Sequence, residues 1–165
     1  MRSTVFSFSQ LLHWAIAIFV LGALVSGYAT TRSETFSLTL LRFHLGLGVT
    51  AGVLSLIRVV LWLTTGAPER VFPIASKTQN LASSLVHAAL RLLPLLLLIS
   101  GIGMIALSGA FSALINGSLT NLTGFAELPP RNLHHAADLL LASLIALHAI
   151  AAGWHRFRQP TLKTE

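Results

Sequence analysis

Histidine is the residue type in this chain whose number and placement could support chemistry. The sequence of 165 residues contains seven histidines, and six of them lie inside or at the edge of long apolar segments. These six are His13, His44, His87, His134, His135 and His148. A single histidine in such a segment can simply hydrogen-bond a neighbouring helix, but an ionisable side chain there is costly and is a candidate for function. Six together indicate a shared role, and metal ligation is common for imidazole.

The depths of these histidines sort them into two layers when consecutive apolar segments cross a membrane in opposite directions. The inner layer contains His13, His87 and His148, and the outer layer contains His44, His134 and His135. At ~100° per residue, His134 and His148 lie within ~40° of the same helix face and ~21 Å apart along the axis. His135 points ~140° away from His148 and is expected to face another helix or an interface. One helix therefore offers a histidine to each of two stacked sites.

Two histidines in each layer suit the two axial positions of a haem iron, with the flat porphyrin filling the space between helices. Zinc in a helix bundle usually takes more ligands, and Asp138 is the only acid within an apolar segment. A di-iron carboxylate site needs several glutamates that these segments lack. Cysteine is absent, which excludes disulfides, iron–sulfur ligation and covalent attachment of c-type haem.

Three arginines are candidates to pair with the propionates of such a haem, because arginine is a good partner for carboxylates. They are Arg42, Arg58 and Arg91. Arg58 follows His44 by 14 residues and lies on roughly the same face but at the inner level, where it could equally extend its side chain to the membrane surface. Arg91 lies one turn deeper than His87, and this pair is predicted to bind a propionate or a quinone head group.

The composition indicates that these histidines are carried by membrane-spanning helices. Hydrophobic residues make up 54% of the chain and charged residues 10%, whereas a soluble domain has about 25% charged residues. Four apolar segments, at about residues 8–29, 43–65, 81–107 and 133–154, are each long enough to cross the ~30 Å hydrocarbon layer. Helices satisfy their own backbone polar groups in lipid. The sequence therefore predicts an all-α, antiparallel four-helix membrane bundle as one domain over residues 1–165.

The first apolar segment is expected to be a retained helix, because it is too long for the apolar region of a typical signal peptide. Lysines and arginines near the N-terminus, after the second segment and in the C-terminal tail outnumber those of the other two loops. By the positive-inside rule, both termini are predicted to be cytoplasmic. The loop over residues 108–132 is then outside, with its 111–115 and 119–122 stretches resting on the membrane. The net charge of +6 comes from residues that flank apolar segments, so no nucleic-acid partner is expected.

Six sequence pieces that contain these residues form an ordered pattern. They are Leu12-His13-Trp14, Phe43-His44-Leu45-Gly46 leading to Arg58, His87 followed by Ile99-Ser100-Gly101-Ile102-Gly103-Met104, Leu133-His134, Leu147-His148-Ala149, and His155-Arg156-Phe157. In this order and with the 14-residue spacing, nearly the whole chain resembles the bacterial cytochrome b561 family. That family is related to the cytochrome b subunits of nickel–iron hydrogenases and formate dehydrogenases. Pro94, Arg91 and a tail that lacks the Arg-Met ending depart from the family pattern.

The resemblance implies two non-covalent haem b groups, each held by two histidines. It implies that His13 and His148 ligate the inner haem and that His44 and His134 ligate the outer one. His87 and His155 would be non-ligand residues, near propionates or quinone. The protein would then lie in the bacterial inner membrane and pass electrons between a periplasmic-side partner or substrate and the quinone pool. Oxidation of superoxide with ubiquinone as acceptor is one such reaction.

Two other functions remain open at this point. The chain could be the cytochrome b membrane anchor of a larger oxidoreductase, which would need a soluble partner. It could also be a haem-free transporter or structural membrane protein that uses its histidines for protons or packing. A proton pathway would favour several acids within the segments, and only Asp138 is available.

Overall fold

The computed structural model describes residues 8–33, 37–66, 76–117 and 127–158. Its helices are α1 (Phe8–Arg32), α2 (Leu38–Thr65), α3 (Lys77–Ser108), α4 (Ala110–Asn116) and α5 (Pro129–Arg158). By length and composition, α1, α2, α3 and α5 can each cross a membrane. The predicted all-α membrane bundle of four long helices is therefore confirmed.

Three of the long helices begin four or five residues before the predicted apolar segments. The Ser37 side chain accepts a hydrogen bond of 3.3 Å from the backbone N–H of Leu40 and caps α2. Ser76 caps α3 in the same way through the N–H of Gln79, at 3.2 Å. Proline is well suited to the first position of a helix, and α5 begins at Pro129. These starts place the outer histidines more than one turn inside their helices.

The third long helix continues through Pro94, which is buried. Proline lacks the backbone N–H that would otherwise bond the carbonyl four residues earlier, yet α3 extends to Ser108. Gly109 then takes a positive φ of 70°, a conformation that glycine adopts without steric cost. The short helix α4 follows and includes the 111–115 stretch, whereas the 119–122 stretch lies outside the described residues.

The backbones of the long helices pack one against the next in chain order. α1 packs along α2, α2 along α3, and α3 along α5, while α4 contacts α3 and α2. Neither α1 nor α2 makes more than marginal contact with α5. The buried core is built from Val20, Ala51, Leu93, Ala137 and Leu141. Large apolar side chains elsewhere on the long helices are exposed, as expected where lipid is the solvent.

Candidate functional site

The inner layer brings together histidines from three helices. The ring centres of His13 in α1 and His148 in α5 are 6.4 Å apart, with an interplanar angle of 76°. His87 in α3 also lies beside His148, with ring centres 5.3 Å apart and an angle of 72°. Trp14 lies beside His13, at 5.4 Å between ring centres. All three inner histidines named from the sequence therefore meet at one level of the bundle.

The outer layer contains a second pair with nearly the same geometry. The ring centres of His44 in α2 and His134 in α5 are 6.3 Å apart, with an interplanar angle of 74°. His135 is exposed and does not join this pair, in keeping with its predicted direction. In both layers, the two rings of a pair come from helices whose backbones are not closely packed against each other. The members of each pair therefore meet through their side chains.

The rings of the outer pair are held by hydrogen bonds from one nitrogen each. His44 Nδ1 lies 3.0 Å from the carbonyl oxygen of Ala23 and 3.3 Å from Ser26 Oγ. His134 Nδ1 lies 2.9 Å from Ser100 Oγ. A carbonyl oxygen only accepts, so the Ala23 contact places the proton of neutral His44 on Nδ1 and leaves Nε2 with its lone pair. Ser26 lies outside the six sequence pieces that carry the family resemblance. Ser100 lies within one of them but was not predicted to have a role of its own.

A cavity of about 390 Å³ lies at the outer layer and includes His44 and His134 in its walls. Its volume falls within the range of small-molecule and cofactor sites, roughly 300–1,000 Å³. Most of its surface is apolar, with contributions from α1, α2, α3, α4 and α5. Asp138 is the one acid in these walls. The cavity therefore offers two imidazoles and one carboxyl group inside a mostly apolar enclosure.

Two of the three candidate arginines lie on the inner half of the bundle. Arg58 is half-buried, and its Nη1 atom is buried without a hydrogen-bond partner. The hydroxyl of Ser55, one turn earlier on α2, is also buried and unpartnered. The Arg91 guanidinium lies 4.9 Å from the centre of the Trp62 ring. Buried polar atoms are normally hydrogen-bonded, so these two atoms lack the partners that such groups usually have.

The third candidate arginine has a different partner. Arg42 Nε donates a hydrogen bond of 3.1 Å to the carbonyl oxygen of Leu114 in α4. This contact ties the short helix to the outer end of α2. Phe111 and Leu114 of α4 contribute to the walls of the outer cavity. Arg42 therefore helps to position the part of the cavity wall that α4 supplies.

Within the described ranges, no group of three or more histidine, cysteine, aspartate or glutamate side chains could hold a metal ion. A comparison with protein families gives one match, to the model of the prokaryotic cytochrome b561 family, over residues 6–164. The chain belongs to this family. Searches of curated proteins and of solved structures gave no match.

As a cytochrome b561, the protein is a multi-pass inner-membrane protein that binds haem b and takes part in electron transfer. The family match spans nearly the whole chain and so includes all four long helices. The resemblance to this family, stated above from the histidine-containing pieces, is confirmed. Haem b is held in proteins by side chains such as histidine. The candidates to hold it here are the pair His13 and His148 and the pair His44 and His134.

Proposed function

We propose that this cytochrome b561 binds two b-type haems, one between His13 and His148 and one between His44 and His134, and that it transfers electrons between the periplasmic side and the quinone pool. The observation that carries the proposal is the matched geometry of the two pairs, with ring centres 6.4 and 6.3 Å apart. Imidazoles bound to opposite sides of one iron through bonds of about 2.0 Å have ring centres about 6 Å apart.

The packing of the helices supports the same assignment. Each pair joins α5 to a helix whose backbone is not closely packed against it, which favours a flat macrocycle between these helices. The outer pair lies in a cavity with apolar walls, which suits the apolar body of a porphyrin. In the inner layer, the unpartnered atoms of Arg58 and Ser55 are suited to the carboxylates of propionates.

The geometry also argues for His13 over His87 as the partner of His148. His87 lies 5.3 Å from His148 between ring centres, which is about 1 Å short of the distance for two imidazoles on opposite sides of one iron. His13 lies at 6.4 Å. His87 is therefore proposed as a neighbour of the inner haem and not as a ligand.

Haem iron supplies one-electron redox chemistry, and the protein supplies binding, orientation and electrostatics. With two histidines in each pair, the protein fills both axial positions and leaves none open for a substrate. The residues therefore favour electron transfer over oxygen binding. The ~21 Å between His134 and His148 along α5 places the two proposed sites one above the other, which suits transfer across the membrane.

Ubiquinone is the proposed electron acceptor, and superoxide is a candidate donor on the periplasmic side. In that reaction, two superoxide anions each lose one electron to become oxygen, and one ubiquinone gains two electrons and two protons. The inner arginines support a quinone near the inner layer, since a guanidinium can donate hydrogen bonds to a quinone oxygen. If the donor is a redox protein instead of superoxide, the chain is an electron relay. If a soluble subunit co-purifies, the chain is the membrane anchor of a larger oxidoreductase.

The test is a dithionite-reduced minus oxidised optical spectrum of the purified protein, with haem counted per chain. We expect two haem b per chain, both reduced by ubiquinol and reoxidised by ubiquinone. Superoxide generated in the presence of ubiquinone should reduce the haems if it is the donor. Well-folded protein without haem would contradict the proposal and leave a transporter or structural role.

Arg91→Leu provides a second test, directed at the inner layer. Loss of a charge-assisted hydrogen bond costs about 1.5–3 kcal/mol, so we expect haem retention or apparent quinone affinity to fall by about tenfold or more. Arg32→Leu is the control, because Arg32 is exposed and lies over the Tyr28 ring of its own helix. Haem dissociation and quinone kinetics are measured for both variants. Unchanged values in Arg91→Leu would remove Arg91 from the site.

A further inference from the structure

We propose that two serine–glycine pairs, Ser26-Gly27 in α1 and Ser100-Gly101 in α3, are positioning elements that hold His44 and His134 as Nδ1–H tautomers. Each pair receives a histidine ring from the helix packed against it, α2 for the first and α5 for the second. In this tautomer Nε2 keeps its lone pair for the iron. The inference rests on the proposed haem ligation and names residues that act through the ligands.

The two serines use their hydroxyl groups in the same way. Ser26 Oγ donates to the carbonyl oxygen of Gly22 at 2.8 Å, and Ser100 Oγ donates to that of Leu96 at 2.8 Å. In both cases the acceptor lies four residues earlier in the same helix. A hydroxyl has one proton and two lone pairs. Because the proton is directed to the helix carbonyl, each serine oxygen is an acceptor toward the histidine.

The histidine contacts complete these two short chains of hydrogen bonds. His134 Nδ1 is 2.9 Å from Ser100 Oγ, and His44 Nδ1 is 3.3 Å from Ser26 Oγ. His44 has a second acceptor, the Ala23 carbonyl oxygen at 3.0 Å. His134 likewise has a backbone partner, the carbonyl group of Leu97, so each histidine has one serine and one carbonyl acceptor. Both serines are nearly fully buried, at 4% and 3% exposure, so water does not readily replace them.

The glycine in each pair sets how closely the ring can approach. A Cβ atom at Gly27 would lie 3.0 Å from His44 Cε1 and 3.2 Å from Nδ1, which is closer than ordinary van der Waals contact. A Cβ atom at Gly101 would lie 3.5 Å from His134 Cε1, which is a normal contact. Alanine at position 27 therefore requires the His44 ring to shift by a few tenths of an ångström, whereas alanine at position 101 does not displace His134.

A hydrogen bond from Nδ1–H makes the ligand nitrogen more basic and fixes the ring orientation, and loss of such a partner typically lowers metal affinity by about 10- to 100-fold. A more basic ligand stabilises oxidised iron. Removal of the acceptor is therefore expected to raise the reduction potential of the outer haem. The inner haem is the internal reference, because both serine–glycine pairs contact outer-layer histidines.

The experiment uses the variants Ser100→Ala and Ser26→Ala, with Ser100→Thr and Ser26→Thr as versions that keep the hydroxyl. Redox titrations are made in the full-length protein and in the His13→Ala background, which isolates the outer haem. We expect Ser100→Ala and Ser26→Ala each to raise the outer potential, and both threonine variants to stay near the wild type. Outer haem dissociation should accelerate by about tenfold in Ser100→Ala.

Two further measurements separate this inference from the haem assignment. Nitrogen-15 NMR of histidine-labelled, dithionite-reduced protein should give protected Nδ1–H protons for His44 and His134, and it reads the tautomer even if no haem is bound. Gly27→Ala should weaken outer haem retention, whereas Gly101→Ala should not. An Nε2–H tautomer at either histidine, or equal potential shifts of both haems in Ser100→Ala, would overturn the inference. Absence of haem from the wild type would instead contradict the proposed function.

Discussion

His13→Ala and His44→Ala are each expected to reduce the haem content of the purified protein from two per chain to one, and the double variant is expected to contain none. Each substitution removes one of the two proposed ligands of a haem, and the remaining histidine would have to hold that haem alone. The 6.4 Å and 6.3 Å separations fit the ~6 Å that one bridging iron requires. Pyridine haemochrome assays, normalised to protein by amino-acid analysis, measure the outcome.

Two control variants make this experiment discriminating. His135→Ala removes an exposed imidazole next to His134 and should leave two haems. His87→Ala removes the ring 5.3 Å from His148 and should also leave two haems, with at most a shift in the inner spectrum. If His87→Ala lost one haem while His13→Ala kept both, His87 would be the partner of His148 and the proposed pairing would be wrong.

Gly52→Ala adds only one methyl group, yet it is expected to destabilise the protein strongly. A Cβ atom at Gly52 would lie 2.8 Å from the Cβ and Cδ2 atoms of Leu98 in α3, so the two helix backbones must move apart. Overpacking of this kind typically costs about 1–3 kcal/mol. Leu98 also contributes to the wall of the outer cavity. The outer haem should therefore be lost before the helices unfold.

Gly46→Ala is the matched control for this prediction. Gly46 is also in α2, and a Cβ atom there would meet no other atom within 4 Å. The substitution should be neutral or stabilising by up to about 1 kcal/mol, since alanine favours a helix more than glycine does. Thermal unfolding in detergent is followed by helicity and by the haem Soret band. Equal transition temperatures for the two variants would contradict the prediction, because they would show that a Cβ atom at Gly52 does not force α2 and α3 apart.

The bundle and the layering of its histidines were accessible from the sequence because both depend on spacing along single helices. The 14 residues between His134 and His148 determine their shared face and their axial separation, whatever the other helices do. The structure then brings the rings of each predicted pair close together, while their ligation of haem stays a prediction. Hydropathy identified the apolar parts of the helices. It predicted the starts of α2 and α3 too late, because the first turns after the capping residues Ser37 and Ser76 include polar residues.

The remaining features depend on how helices rotate against each other, which no single segment encodes. Ser26 and Ser100 look like ordinary helix serines until α2 and α5 place a histidine beside them. Gly46 and Gly52 are equivalent in the sequence, yet one faces open space and the other faces Leu98. The contact between His87 and His148 also requires a relative rotation that depth alone does not define.

The sparse contact of α1 and α2 with α5 has a consequence for biogenesis. Among the described helices, the backbone of α5 packs mainly along α3, and α5 is the last of these helices to be synthesised. α5 carries one histidine of each pair, and neither pair exists until it arrives. A rigid macrocycle can therefore be loaded from the open side as the final helix docks, without any later opening of a finished bundle. Cofactor supply and completion of the fold then become a single quality-control step in the cell.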